Sequence, residues 1–301
     1  MKEKLYIYDI GETKRTTDFE QFKGIGTTGQ FAIQNYFKEK IEKSGCKFYP
    51  MFTVDCGDGV FEDVYGKYFN RPEINLDDYD LVYSLPDQFK YEKYNYDWYD
   101  DEVFSLMKKN YMFNKSFSNQ CEKIYDDLDR PEIAYQIRET DKFDDYNCPL
   151  PTLFYEEHMR EYKDKIIFLC SDNYYSLNIL KEKFPNVRTL DTVRSTNFLP
   201  LHLFTHISDN IRTKGLTEKD NVDSLMKEIY ILWRCKILNY GLFGGIIAHI
   251  TQINKHCIEI NDLKKQNIKI TERDREIFKF FGVYFYNIWN NIVINKELWK
   301  P

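Results

Sequence analysis

The segment from Ala134 to Leu190 constrains the fold of this chain more than any other. Ile133 to Ile137 reads as a strand, Tyr155 to Tyr162 as a helix, and Lys165 to Cys170 (Lys-Ile-Ile-Phe-Leu-Cys) as a continuously apolar strand. A run of that kind suits a strand buried on both faces, the condition of a parallel sheet covered by helices. Tyr175 to Phe184 repeats apolar residues at helical spacing until Pro185 stops it, and Val187 to Leu190 begins another strand. Two βα units in succession predict an α/β nucleotide-binding domain. They also place the polar stretch Gln136-Ile-Arg138-Glu-Thr-Asp-Lys142 at the end of the first strand, where it is expected to be exposed.

The N-terminal part repeats the theme. Leu5 to Ile10 fits a first strand, and Gly24-Ile-Gly26-Thr-Thr-Gly29 precedes a helix with apolar residues Phe31, Ile33, Tyr36, Phe37 and Ile41. Gly45 is placed to end that helix, and Cys46 to Val54 reads as the next strand. Asp77 to Asp101 is rich in Tyr and Asp around one strand, Leu81 to Leu85. It reads either as a solvated, partly helical insertion or as an acceptor surface, since aromatic faces with nearby carboxylates suit sugar rings. Towards the C-terminus a helix is expected over Val222 to Leu238, then Gly241 to Gly245, a helix near Ile246 to Ile253 and a strand from Cys257 to Ile260. A long amphipathic helix over Thr271 to Trp289, with the stripe Ile277, Phe280, Phe281, Tyr284, Phe285, Ile288 and Trp289, closes the chain. The resulting division is 1–128, 129–268 and the helix-bearing 269–301.

Composition narrows the function. With 301 residues and 43% hydrophobic content the chain can build a sizeable core. Its 42 basic against 48 acidic residues leave a net charge of -6 without a basic cluster, which disfavours a nucleic-acid partner. Seven cysteines, widely spaced and with no C-x-x-C pair, suit a reducing compartment. The N-terminus enters a strand directly, with no signal-peptide core, and no run of about 20 apolar residues is present to span a bilayer. A cytoplasmic protein is the expectation.

Ligands of open α/β sheets bind beyond the carboxyl ends of the strands, against loop amides and helix N-termini. Two loops meet that condition. In Gln136 to Asp145, Arg138 can bond a phosphate bidentately, and Asp141, Asp144 and Asp145 are candidate bases. In Ser171-Asp172-Asn173, small polar side chains either accept from a base or ribose or cap the following helix. Gly24, Gly26 and Gly29 offer backbone that can approach a diphosphate, but not as a full G-x-G-x-x-G fingerprint in the register that motif requires, and no P-loop lysine accompanies them. Asp78-Tyr-Asp80 matches a bare metal-holding D-x-D pattern, which an acidic stretch produces by chance. His202, His206, His249 and His256 gather no zinc-ligand spacing, and no G-x-S-x-G elbow is present.

Gln136-Ile-Arg138-Glu139-Thr140-Asp141-Lys142 resembles the H-x-R-R-T-D-K motif of the α-1,6-fucosyltransferases, a family that includes core-fucosylating and nodulation enzymes. Ile167-Phe-Leu-Cys-Ser171-Asp172-Asn173, followed by Leu180-Lys-Glu-Lys-Phe-Pro185-Asn, is similar to a second stretch of that family. The resemblance implies a GT-B-like α/β architecture: two Rossmann-like halves facing a cleft, a donor nucleotide-sugar held by the C-terminal half, and a C-terminal helix crossing back. It also implies no metal and no cofactor beyond the donor, with GDP-fucose and a glycan acceptor as substrates. By the same resemblance Arg138 holds the diphosphate, Lys142 lies near the reaction centre, and Asp145 or Asp144 is the base. Gln136 replaces a base-contacting histidine, Glu228 stands where an aspartate contacts guanine, and Gly244 offers an amide where the family has a serine pair. Glu139 departs from the family by replacing its second arginine. A catalytically lapsed relative that binds a glycan or a protein is the alternative, and an unrelated α/β nucleotide enzyme is the third reading.

Overall fold

A computed structural model describes residues 2–13, 27–83, 111–138, 152–192, 194, 217–240 and 254–257. The chain forms two compact units, the first comprising Met1–Lys123, Ser208–Lys227 and His249–Gln252, the second Ile124–Ile207, Glu228–Ala248 and Ile253–Pro301.

In the first unit β1 (Glu3–Asp9) is followed by helix α1 (Thr27–Lys43), β2 (Lys47–Met51), the short hairpin strands β3 (Thr53–Asp55) and β4 (Phe61–Asp63), and β5 (Tyr79–Val82). β1 lies between β2 and β5 and runs parallel to both. The expected strand-helix-strand unit is therefore present, with Gly45 ending α1 at a φ of 79° that favours glycine. The apolar stripe of α1 packs on β1, Tyr8 and Phe37 stacking at 5.8 Å. Periodicity did not reveal the buried amides beside that stripe. Gln34 Nε2 donates to the carbonyls of Tyr8 and Met51, at 2.8 and 2.9 Å, and ties the ends of the two strands together. Its Oε1 accepts from Tyr111 Oη at 2.7 Å, so the buried amide satisfies both ends.

The glycine segment needs a correction. Gly24, Gly26 and Gly29 do carry the G-x-G-x-x-G spacing, but β1 ends at Asp9, and Gly29 is the third residue of α1 rather than part of a loop. Gly24 and Gly26 lie outside the described residues.

The second unit is built on a five-stranded sheet of β6 (Ile133–Ile137), β7 (Ile167–Ser171), β8 (Val187–Arg188), β9 (Ile237–Tyr240) and β10 (Asn254–Cys257), in the order β10-β9-β6-β7-β8. All four pairings are parallel. Every residue of β6 and β7 is buried, as the apolar run of β7 predicts. One face carries Ile133, Tyr135, Ile137, Ile167 and Leu169 against α3 (Thr152–Met159) and α4 (Tyr174–Lys183). Helix α2 (Lys115–Asp127) precedes β6, and α5 (Glu218–Arg234) precedes β9, the division between the units falling within each of these helices.

Two further expectations change. The helix expected over Val222 to Leu238 stops at Arg234, and Ile237 and Leu238 enter a strand. The apolar run there continues the helical pattern, but the amides of Lys236 and Ile237 both donate to Glu132 O, at 2.7 and 3.2 Å, and start the pairing with β6. Gln136, expected to be exposed, is 4% exposed because β6 is the central strand. The expected elements over 246–253 and 271–289 lie outside the described residues. A strand is described over Asn254–Cys257, and the rest of the one expected over Cys257 to Ile260 lies outside the described residues. Among the described residues no helix is long and apolar enough to cross a membrane.

Among the described glycines the tightest backbone approach is at Gly11, where an added Cβ would run into the carbonyl of Thr53. Asp9 closes this approach by accepting from the amides of Gly11 and Thr53 through Oδ1, at 2.9 and 2.7 Å. Gly11→Ala should cost roughly 1–3 kcal/mol, the usual price of overpacking, read as a lowered urea midpoint with unchanged slope; an unchanged midpoint would refute the contact.

Candidate functional site

The five parallel strands follow one another outward in two directions from β6, to β7 and β8 on one side and to β9 and β10 on the other. The strand order therefore reverses between β6 and β9, and the crevice beyond their carboxyl ends is where such sheets bind ligands. Gln136 is the fourth residue of β6 and Arg138 follows its last, partly exposed. The structure thus carries Arg138 to the switch point of the second unit. Lys142, Asp144 and Asp145, which continue the same segment, lie outside the described residues, as does Gly244.

On the neighbouring strand, Ser171 ends β7 and Asp172 follows it, partly exposed. Asn173 caps α4, its side chain accepting from Tyr175 N at 2.9 Å. Ser171 Oγ accepts from Asn173 N at 3.1 Å and holds the turn in place. The capping role weighed for Ser171 and Asp172 therefore belongs to Asn173.

The face of the sheet opposite α3 and α4 carries the densest buried chemistry among the described residues. Gln136 and Cys170 are register partners and so project to the same side. Cys170 Sγ donates to Glu228 Oε2 at 3.0 Å, which sets this part of α5 against that face. Glu228 Oε1 accepts from Thr192 Oγ1 at 3.0 Å and pairs with Arg194 Nη2 at 2.6 Å, with both charged side chains 8% exposed. Burial works against the Arg194 charge, yet Glu228, Cys170 and Asp172 lift its pKa above the ordinary arginine value. Burial, reinforced by Glu228, pushes the Cys170 thiol well up, so it is a hydrogen-bond donor here and not a nucleophile.

Of the predicted site residues, the structure brings Gln136, Ser171, Asp172 and Glu228 together around the ends of β6 and β7, with Arg138 just beyond. Sequence reading missed Arg194, Thr192 and Cys170. No spacing rule points to them, and only the position of Arg194 a few residues past β8, on the ligand-binding edge of the sheet, signals it. Among the described residues no cluster of three His, Cys, Asp or Glu side chains suited to a metal occurs, and Asp78 and Asp80 belong to none. A separate depression of about 470 Å³ in the first unit is lined by Tyr49, Arg71, Pro72, Glu73, Ile74 and Asn75, and holds none of the predicted residues.

No protein-family model matches the chain, and no curated protein matches it in sequence. Solved structures do. The NodZ alpha-1,6-fucosyltransferase soaked with GDP-fucose aligns over 87% of this chain and 97% of its own, with TM-score 0.50 and 12% identity. Fucosyltransferase NodZ from Bradyrhizobium aligns over the same shares at TM-score 0.47 and 12% identity. POFUT1 in complex with GDP aligns over 86% of this chain and 99% of its own at TM-score 0.47 and 10% identity. The likeness is one of fold. The chain shares the parallel-sheet α/β fold of the NodZ structure soaked with GDP-fucose, and its switch-point residues are the ones to weigh for function.

The ion pair predicts a stability signature. Arg194→Met strands the Glu228 carboxylate in a buried site and should cost about 3–5 kcal/mol, whereas Arg194→Met with Glu228→Met removes both charges and should cost far less. Chemical denaturation of the two variants separates these outcomes, and equal losses would contradict the pairing.

Proposed function

We propose that this chain is a metal-independent, inverting glycosyltransferase that transfers a sugar, fucose from GDP-fucose, to a glycan acceptor. The observation that carries the reading is the placement of Arg138 directly after the central strand β6, at the switch point of a five-stranded parallel sheet. The fold shared with NodZ, a fucosyltransferase soaked with GDP-fucose, supports the choice of donor.

In this reading the acceptor oxygen attacks the anomeric carbon from the side opposite the diphosphate. The bond from that carbon to the diphosphate oxygen breaks, and the nucleoside diphosphate leaves with the electron pair. The acceptor proton passes to Asp145 or Asp144. Arg138, always charged and forked, binds the diphosphate and stabilises the charge that grows on the leaving oxygen, with Lys142 beside it. Ser171 and Asp172 sit at the ribose end, since an acidic residue at the close of the second strand is placed for sugar hydroxyls. The reading needs no metal because the arginine and lysine supply the positive charge.

Glu139 favours a second reading. A carboxylate next to the diphosphate arginine opposes anion binding, as in a lapsed enzyme that has kept the fold to bind a glycan or a protein.

Turnover of GDP-fucose, measured as GDP release with glycan acceptors, decides between them. Arg138→Ala should lower kcat by about 10²–10³, the loss that follows removal of one donor to the developing charge. Asp145→Asn or Asp144→Asn should lower it further at unchanged donor binding. Full activity in Arg138→Ala would remove that residue from the chemistry. Thermal stabilisation by none of GDP, GDP-fucose, GDP-mannose and UDP-sugars would favour the lapsed reading.

A further inference from the structure

The depression in the first unit is a site that the transfer chemistry above does not use. Its floor is Tyr49, the middle residue of β2, which joins Leu5 and Ile7 in a small core with Ile74 partly buried against it. Tyr8 stacks on Phe37 of α1, and side chains alternate along a strand, so Ile7 and its register partner Tyr49 project from the face opposite α1. The depression therefore opens on a face of the sheet and not beyond its carboxyl edge, where such folds place their chemistry. Its volume of about 470 Å³ falls within the ~300–1,000 Å³ of small-molecule sites.

The polar groups around it have donors and an acceptor to spare. Arg71 Nη1 is engaged by Asp63 Oδ2, and the guanidinium lies 4.8 Å from the centre of the Tyr49 ring. Asp63 is itself anchored, its Oδ1 accepting from the amides of Phe52 and Tyr65 at 3.0 Å each. Arg71 Nε and Nη2, the two nitrogens of one edge of the fork, take no partner among the described residues. Asn75 Oδ1 accepts from Asp77 N at 3.3 Å, which orients the amide and leaves Nδ2 as a donor. Glu73 is exposed, and its carboxylate meets no cation among the described residues.

Charge and shape decide what fits. Asp63 neutralises Arg71 and Glu73 adds a negative charge, so the depression repels phosphate, sulfate and carboxylate groups. The Tyr49 ring is buried in the core with the guanidinium over it, so it offers no free face for a planar base. What remains is a set of donors from Arg71 and Asn75, an acceptor at Glu73, and C–H surface at Pro72 and Ile74. A pyranose ring matches that set, since its hydroxyls both donate and accept around an apolar C–H face.

We propose that this depression binds a neutral sugar residue of a glycan. Arg71 donates through Nε and Nη2 to neighbouring hydroxyl oxygens, Asn75 Nδ2 donates to a further one, and Glu73 accepts from a hydroxyl. The guanidinium is already held by Asp63 and Tyr49, so little freedom is lost when the sugar arrives. This is a holding site, in which no bond is made or broken. The assignment goes beyond the transfer reading and depends on neither Arg138 nor a nucleotide.

Calorimetric titration of the full chain, without nucleotide, with maltotriose, cellotriose, mannotriose and the acidic trigalacturonate tests it. At least one neutral trisaccharide should bind at millimolar concentration, and more tightly than trigalacturonate. Glu73→Ala alters an exposed side chain, so the urea midpoint should stay at the wild-type value while affinity falls about tenfold, as loss of a hydrogen bond to a charged group implies. Arg71→Lys keeps a charge beside Asp63 but loses the fork, and affinity should fall by a similar factor. Binding of none of the neutral trisaccharides, tighter binding of trigalacturonate, or wild-type affinity in either variant overturns the assignment. Nucleotide binding is tested separately through Arg138→Ala, so the two readings fail independently.

Discussion

The parallel pairing of β6 with β7 on one side and β9 on the other is the constraint on which the second unit depends. A strand in that position has no solvent face, and all five residues of β6 are buried. Its side chains at Ile133, Tyr135 and Ile137 join the core with α3 and α4, where the Tyr135 hydroxyl bonds His158 Nδ1, while Gln136 faces the other side beside Cys170. The reversal of strand order next to β6 opens a crevice at that end. Gln136 and Arg138 therefore have different fates two residues apart, one buried beside Cys170 and the other carried out to the edge.

The α5 face shows how a buried charge is accommodated. Removing Glu228 and Arg194 from water carries a large desolvation cost, which their contact and the bonds from Cys170 and Thr192 offset. An apolar pair of similar volume would hold the fold as well. The ion pair instead fixes a guanidinium in one orientation. Charge is divided along this edge, positive at Arg138 beyond β6 and net negative at Glu228, Asp172 and Arg194.

Much of the fold was legible in the sequence because its signals are local. The apolar run of β7, the stop at Pro185 and the helical stripe of α1 each fix an element without reference to distant residues. What failed was long-range. Ile237 and Leu238 read as helix because their apolar spacing suits either state, and only pairing with β6 makes them a strand. Gln136 read as exposed because centrality in a sheet is not written in a single strand. At the candidate site, Arg138, Ser171, Asp172 and Glu228 were named from position and resemblance. Arg194 was not, since its meaning comes from Glu228, 34 positions along the chain, reaching it across the sheet edge.

The central claim is that the carboxyl edge of β6 and β7 holds a nucleoside diphosphate. A crystal structure of the chain with GDP tests it most directly. The account predicts the diphosphate against Arg138. GDP bound away from the β6 edge, or no GDP at millimolar concentration, would contradict it.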